Sequence, residues 1–336
     1  MSSREKNVME TGDVIADVRN FMKSRVILTA AELDLFTHLH EKSSSAKELA
    51  GKLKLNTRAL TRLLDTLVTF GLIKKHDTHY RLTNQGVPLA ARHPDTILPF
   101  ILHLNNLWDS WSHLTEIVKN GPHLKPKPFL EKAEEDQRAF IGAMHVVGRK
   151  LSQEIAGAYD LKPFKRLLDI GGGSGTYTIA FLKKNPMLTG VIFDLKNVIP
   201  LAEERMNAEG LAKRVELVAG DFYQDDLPRD CDLALLSAII HQNSPEQNRA
   251  LYCKIFQALL PGGRLLIRDF VMDESRTHPP EGALFALNML VNTPGGDTYT
   301  FREIKHLLKE AGFLEVKMIR TGQQMMDCLV EAKKPL

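Results

Sequence analysis

Leu168-Asp169-Ile170-Gly171-Gly172-Gly173-Ser174-Gly175 follows a short apolar run that begins at Arg166 and precedes a segment of helical character. Glycines at a strand-to-helix turn accept unusual dihedral angles and let a ligand come close to the backbone. Residue 176 is Thr, so the dinucleotide spacing G-x-G-x-x-G counted from Gly171 is not met. Asp169 stands just before the glycines. A carboxylate there suits a ligand that carries an ammonium group and suits a pyrophosphate poorly. The alternative is a tight turn packed for its own sake.

Outward from this turn, apolar runs and helical segments alternate. Strands are expected at Arg166–Ile170, Gly190–Leu195, Val215–Ala219, Asp232–Ile240, Arg264–Phe270, Leu314–Ile319 and Met326–Glu331, with helical segments separating the first five. That is the signature of a doubly wound α/β sheet. Only Arg320 to Gln324 separate the last two runs, which predicts a hairpin adding an antiparallel strand at or near the sheet edge.

Ligands of such sheets bind at the carboxyl ends of the strands, and three more signals fall there. Asp194 closes the second run, 25 residues after Asp169, where an acidic side chain typically takes a ribose diol; the competing role is a helix N-cap. Gly220-Asp221-Phe222 follows the third run and offers a carboxylate and a ring to an adenine. His241 follows the fourth, and histidine is the side chain best matched to general-base work near neutral pH. A lone histidine also has an ordinary structural reading.

The N-terminal half reads differently. Residues 1–12 are polar, expected to be disordered, and lack the apolar stretch of a signal peptide. Apolar residues recur at helical spacing from Asp13 to His40. Ser45 with Glu48 forms a capping-box pattern, and a second helix is expected over Thr57–Phe70, ended by Gly71. Leu72–Lys75 and His79–Leu82 form a hairpin around Asp77-Thr78. Helix, turn, helix and hairpin make a winged-helix pattern. Residues 95–160 are helical again, broken by a loop over residues 121–128, with Phe140–Tyr159 a long amphipathic helix. Expected boundaries are 13–95 for the winged-helix domain, 96–160 for a helical connector and 161–336 for the α/β domain.

The chain has 336 residues, a net charge of +3 and 43% hydrophobic residues. That is the mix of a globular protein, and the whole-chain charge demands neither nucleic acid nor an anionic membrane. No stretch approaches the ~20 apolar residues of a spanning helix. The three cysteines, Cys231, Cys253 and Cys328, form no CxxC pair, which argues against a zinc site or a disulfide framework and for a cytoplasmic location. Between Ser43 and Gln85 eight Lys/Arg face three Asp/Glu. This local excess keeps a DNA-binding regulator open as a second class. Against it, Thr57–Phe70 presents only Arg58, Thr61 and Arg62 as a recognition surface.

The turn at Asp169–Gly175, Asp194, Gly220-Asp221-Phe222, His241, Pro261-Gly262-Gly263, Asn288-Met289-Leu290 and Gly295-Gly296 occur in order and spacing. As a set they resemble the small-molecule O-methyltransferase family that includes plant caffeate and flavonoid methyltransferases and animal acetylserotonin O-methyltransferase. The resemblance covers nearly the whole chain. It implies a Rossmann-like class I methyltransferase domain with a mostly parallel seven-stranded sheet, and a mainly α winged-helix dimerisation domain ahead of it. It implies S-adenosylmethionine as cofactor, S-adenosylhomocysteine as product, no metal, and a homodimer whose α-helical N-terminus, near Phe21 and Met22, reaches the partner. Gly171, Gly173, Asp194, Asp221 and Phe222 are then the cofactor-binding residues beside Asp169, and His241 takes the proton of the acceptor hydroxyl.

The same resemblance places Phe140, Met144, Met289 and Asn292 in the wall of the acceptor pocket, with Trp108 and Trp111 as further candidates, Phe285 as another apolar group and His145 as a polar one. The sequence departs from the family at four places. His241 is followed by Gln242-Asn243. A family glutamate that orients the histidine is replaced by the shorter Asp269, counted here as its catalytic partner. A second glutamate position falls on Thr298. The Lys or Arg common four residues before the histidine is Ser237, grouped with the cofactor-binding residues. These departures leave carbon methylation or non-methylating chemistry on the bound cofactor as alternatives. A nicotinamide-dependent dehydrogenase is disfavoured by the glycine spacing and by Asp169.

Overall fold

The structure, a computed structural model, describes residues 11–122, 129–322 and 326–336 and divides after Leu107 into two units. Of the stretch expected to be disordered, residues 1–10 lie outside the described residues, and the first helix begins at Thr11. In the loop expected over 121–128, residues 123–128 also lie outside them.

The first unit contains α1 (Thr11–Glu32), α2 (Leu35–Glu41), β1 (Ser44–Ser45), α3 (Ala46–Leu53), α4 (Thr57–Thr69), β2 (Ile73–His76), β3 (His79–Leu82) and α5 (Leu98–Asn106). The continuous periodicity over Asp13–His40 resolves into two helices, because Asp34 takes a left-handed conformation with φ 53°, which Asp tolerates better than most residues. Ser45 and Glu48 satisfy each other's backbone N–H groups as a capping box, at 3.2 and 2.7 Å. Asn56 caps α4 by accepting from the Ala59 N–H at 3.0 Å. β2 and β3 pair antiparallel around Asp77, and β1 adds a third strand. Phe36, Leu35, Leu49, Leu60, Leu64, Leu67, Ile73 and Tyr80 close one core. The first turns of α1 leave Val14, Ile15, Val18, Phe21 and Met22 exposed.

The second unit opens with α6 (Trp108–Ser112), α7 (Leu114–Asn120) and α8 (Glu134–Ala158). There follow β4 (Arg166–Ile170), α9 (Thr176–Lys184), β5 (Thr189–Asp194), α10 (Ile199–Ala208), β6 (Val215–Ala219), β7 (Cys231–Ser237), α11 (Pro245–Ala258) and β8 (Leu259–Asp269). The chain ends with β9 (Val271–Met272), α12 (Pro280–Asn292), β10 (Tyr299–Thr300), α13 (Phe301–Glu310), β11 (Leu314–Arg320) and β12 (Cys328–Lys333). Seven strands form one sheet in the order β6-β5-β4-β7-β8-β12-β11. The first five are parallel, and β12 runs antiparallel to both neighbours. The expected hairpin is β11–β12, with β11 at the edge and β12 one place in.

Parallel strands covered on both faces read as continuous apolar runs, and the two faces sort by residue parity. Leu168, Ile170, Ala234, Leu236, Leu265 and Ile267 pack against Leu251, Tyr252 and Ile255 of α11 and Ile304 and Leu308 of α13. Leu167, Leu233, Leu235 and Leu266 pack against Ile155 of α8, Phe181 and Leu182 of α9, and Met206 of α10. Parity then assigns Asp169, Ser237 and Arg268 to the α8–α9–α10 face and Asp269 to the α11–α13 face. β7 stops three residues short of the expected Ile240. Ala238 turns to φ 59° while its N–H still reaches Arg268 O at 2.8 Å, and a 3-10 turn over Ile240–Gln242 follows. That break puts His241 on a turn rather than in a strand.

Candidate active site

The glycine turn holds three left-handed residues, Gly171, Gly173 and Gly175. Gly171 (φ 64°) donates its N–H to Phe193 O at 2.8 Å, and a Cβ there would press on Ile239 Cδ1 at 2.7 Å, with Phe222 Cε1 at 3.6 Å. At Gly173 (φ 57°) the case is opposite, since a Cβ would meet only Ile141 Cδ1, at 4.0 Å. The turn is therefore packed from below at Gly171 and open at Gly173, the side from which a ligand can lie against the backbone.

Asp169 lies buried under the turn, accepting from Thr178 Oγ1 at 2.7 Å. Burial pushes its carboxyl up to about 6, with the Thr178 hydrogen bond pulling the other way. Asp194 accepts from the Gly173 N–H and the Leu195 N–H, both at 2.7 Å. Burial pushes it up to about 6 as well. Each of its oxygens keeps a further lone pair, enough for the two hydroxyls of a ribose. The N-cap alternative is not realised, since α10 starts after Val198 and has no side-chain cap. Asp221 accepts from Tyr223 N at 2.9 Å and Gln224 Nε2 at 3.1 Å. Phe222 packs 4.5 Å from Tyr223, centroid to centroid. Lys254 Nζ ties this loop down through Phe222 O, Tyr223 O and Asp225 O.

His241 is buried on the other side of β7. Its Nδ1 sits 2.9 and 3.0 Å from the two oxygens of Asp269, which is itself 1% exposed. The shorter carboxylate therefore does reach the ring. Phe270 N also donates to Asp269, at 2.8 Å. With Nδ1–H held by Asp269, the basic lone pair is left on Nε2. Thr298 is buried but donates to Gly282 O at 3.4 Å, and no carboxylate replaces the second family glutamate. The neighbouring loop instead holds the backbone of the turn, with Asp297 N donating to His241 O at 2.9 Å. Of the residues after His241, Gln242 donates to Tyr223 Oη at 3.5 Å and Asn243 is fully buried. Asn243 accepts from Tyr223 Oη and donates to Asn248 at 3.0 Å.

The pocket candidates separate. Phe285 meets the His241 ring edge-on at 4.8 Å. Trp111 Nε1 donates to Asn288 Oδ1 at 2.9 Å, and Asn292 Nδ2 donates to the O and Oδ1 of the same Asn288, both at 3.0 Å. Met289 is buried on the same helix. Phe140 packs edge-on to Phe129 at 5.5 Å, and Trp108 and Met144 are half-buried. Both ring nitrogens of His145 have partners. Its Nδ1 meets Thr176 Oγ1 at 2.9 Å and its Nε2 meets Arg205 Nη1 at 3.0 Å. Burial, then Arg205 and Arg149, lower it to about 4, so the ring is neutral, with Nδ1–H donating and Nε2 accepting. Thr178, Tyr177 and Arg268 lie beside these residues and were not singled out from the sequence, and Asn288 was read there only as part of the run Asn288-Met289-Leu290. A charged residue breaking the apolar run Leu265-Leu266-Ile267 was the available signal for Arg268.

Sheet order, open glycine turn and end-of-strand carboxylate define a nucleoside-binding α/β enzyme. Residues 126–314 match the profile of the O-methyltransferase domain and residues 18–92 that of the O-methyltransferase dimerisation domain. The chain is 32% identical over 339 residues to the tetracenomycin polyketide synthesis 8-O-methyl transferase of Streptomyces glaucescens, covering 98% of each. It is 32% identical over 304 residues to the 3-hydroxy-5-methyl-1-naphthoate 3-O-methyltransferase of Streptomyces sahachiroi, covering 89% of this chain and 88% of that one. Human N-acetylserotonin methyltransferase, solved in complex with S-adenosylmethionine, shares the fold at a TM-score of 0.84 and 24% identity over the whole of both chains. The chain belongs to the O-methyltransferase family, and it is an S-adenosylmethionine-dependent methyltransferase.

Among the described residues no cluster of His, Cys, Asp and Glu fits a metal ion, and no helix is long and apolar enough to cross a membrane.

Proposed function

We propose that the enzyme methylates a hydroxyl of a flat aromatic or polyketide-like molecule, with His241 as general base. The observation that carries this is the buried His241–Asp269 pair, which leaves Nε2 as the basic nitrogen. When bound, S-adenosylmethionine supplies an electrophilic methyl on a sulfonium and is left as S-adenosylhomocysteine. His241 Nε2 removes the acceptor's O–H proton as the new O–C bond forms and the C–S bond breaks. Asp269 holds the tautomer and stabilises the charge that develops on the ring. Asp194 takes the ribose, Asp221 and Phe222 the adenine, Asp169 the ammonium, and the turn at Gly171 and Gly173 the backbone contacts. Positioning of the two reactants supplies much of the remaining rate.

For the acceptor, Phe285 beside His241, Met289, and the Trp111–Asn288–Asn292 cluster offer a surface apolar enough for a ring. Phe140, Met144 and Trp108 extend it. The two bacterial relatives act, by name, on a polyketide and a naphthoate. A homodimer through the first unit is part of the proposal, supported by the dimerisation-domain match and the exposed apolar residues of α1. So are the domain boundaries 13–95, 96–160 and 161–336. A cytoplasmic site of action is supported by three free thiols.

The test is a screen of hydroxylated naphthoates and polyketide phenols for release of S-adenosylhomocysteine, with mass spectrometry of the product. His241→Ala is expected to lower kcat by about 10²–10⁴-fold while leaving the Kd for S-adenosylhomocysteine unchanged. Full activity in that variant would remove His241 from the chemistry.

A further inference from the structure

Arg268 is 4% exposed at the carboxyl end of β8. Its Nε donates to Ser237 Oγ at 2.9 Å and its Nη1 to Met326 O at 3.2 Å. Its guanidinium lies 5.2 Å from the centroid of the Tyr177 ring. All these partners are neutral, and among the described residues no carboxylate stands at ion-pair distance from it. No carboxylate touches this buried guanidinium, and the more distant Asp169 offsets only part of its desolvation.

A second group stands at the same place. Tyr177, 7% exposed in the first turn of α9, has a buried hydroxyl that lies near Ser237 but meets no partner at hydrogen-bond geometry among the described residues. Ser237 pairs with Arg268 across β7 and β8. Asp169, two residues before Gly171, is on the same face and within electrostatic range of Arg268. A cation and an O–H donor therefore converge beside the glycine turn, next to the carboxylate assigned to the cofactor's ammonium.

We propose that Arg268 and Tyr177 bind the α-carboxylate of the S-adenosyl cofactor, so that opposite charges of this chain read the two ends of the cofactor's amino-acid group. This deepens the cofactor assignment made above and rests on it. The position four residues before His241, where relatives of the family carry a cation, is Ser237, and here the charge arrives from the neighbouring strand through the hydroxyl of that serine. Asp169 takes the ammonium and the Arg268 guanidinium the carboxylate, with the Tyr177 O–H donating to the same group.

The experiment compares two ligands in calorimetry. S-adenosylhomocysteine carries the carboxylate, and 5′-methylthioadenosine lacks the whole amino-acid group. In Arg268→Gln the Kd for S-adenosylhomocysteine is expected to rise on the order of ten- to a hundredfold, the range of a hydrogen bond to a charged group. The Kd for methylthioadenosine should stay within about twofold, and Arg268→Lys should restore part of the loss. Tyr177→Phe removes one oxygen atom and tests the same point if Arg268→Gln does not fold. It should weaken S-adenosylhomocysteine alone, by a factor of about three to ten. Equal weakening of both ligands, or of neither, overturns the inference. Failure of the wild-type protein to bind either ligand would instead overturn the cofactor reading on which it rests.

Discussion

At the scale of the residue, the site is a set of charges held in unfavourable surroundings. Asp169 is the clearest case. Its carboxyl is pushed up to about 6 by burial, and the Thr178 hydroxyl only partly offsets that. The ionised form is the one that attracts an ammonium. Affinity for S-adenosylhomocysteine is therefore full above about pH 7 and falls as the pH drops through 6. Asp194, shifted the same way, adds to the loss. Binding should also expel a proton near pH 6, seen in calorimetry as a heat that depends on the buffer's ionisation enthalpy. The sign for the empty protein follows from linkage. A carboxyl whose folded value lies above its ordinary 3.8 makes folding less favourable as pH rises from about 4 to about 6. A flat affinity from pH 5 to 8 would contradict the role given to Asp169.

Order in the chain made His241, Asp194 and the glycine turn legible, because each sits just past a strand that announces itself by composition. Contacts made across strands were not legible. That Asp269 reaches Nδ1 despite a shorter side chain depends on Ala238 turning to φ 59° and swinging His241 out of line with β7. Periodicity has no term for one left-handed alanine. The partners of His145 were hidden for the related reason that Thr176 and Arg205 lie 31 and 60 positions along the chain.

At the scale of the element, the strands were legible almost throughout, since burial on two faces leaves them little freedom of composition. Helix ends were less so, as the break at Asp34 shows. The exposed face of α1 is an element-scale fact with a consequence. Val18 and Phe21 are 66% and 57% exposed, with Val14, Ile15 and Met22 beside them. A patch of this kind is normally covered by a partner, and the matching dimerisation profile begins at residue 18. Val18→Asp with Phe21→Asp should convert the homodimer to a monomer in light scattering. Far-ultraviolet circular dichroism should be unchanged, because neither side chain belongs to the core formed by Phe36, Leu64 and Tyr80. A double variant that remains dimeric would place the interface elsewhere.

At the scale of the whole molecule, the residues assigned to the cofactor all belong to the second unit, Trp108–Leu336, whereas the apolar face of α1 belongs to the first. Two kinds of ligand, cofactor and partner chain, should therefore stabilise the protein through different parts of it. A ligand that binds only the folded state adds about 2.7 kcal/mol when present at a hundred times its Kd, and a partner chain makes the melting temperature depend on protein concentration. For a unit of this size each kcal/mol raises Tm by roughly 2–4 °C, so saturating S-adenosylhomocysteine should raise it by some 5–10 °C. Calorimetric scans of the wild type should show both effects. In Val18→Asp with Phe21→Asp the concentration dependence should vanish and the ligand shift should persist. In Arg268→Gln the concentration dependence should persist, while the shift at the same ligand concentration shrinks with the loss of affinity. A double variant that loses the ligand shift along with the concentration dependence would mean that the cofactor site depends on the partner chain, and the separation argued from the two units would fail.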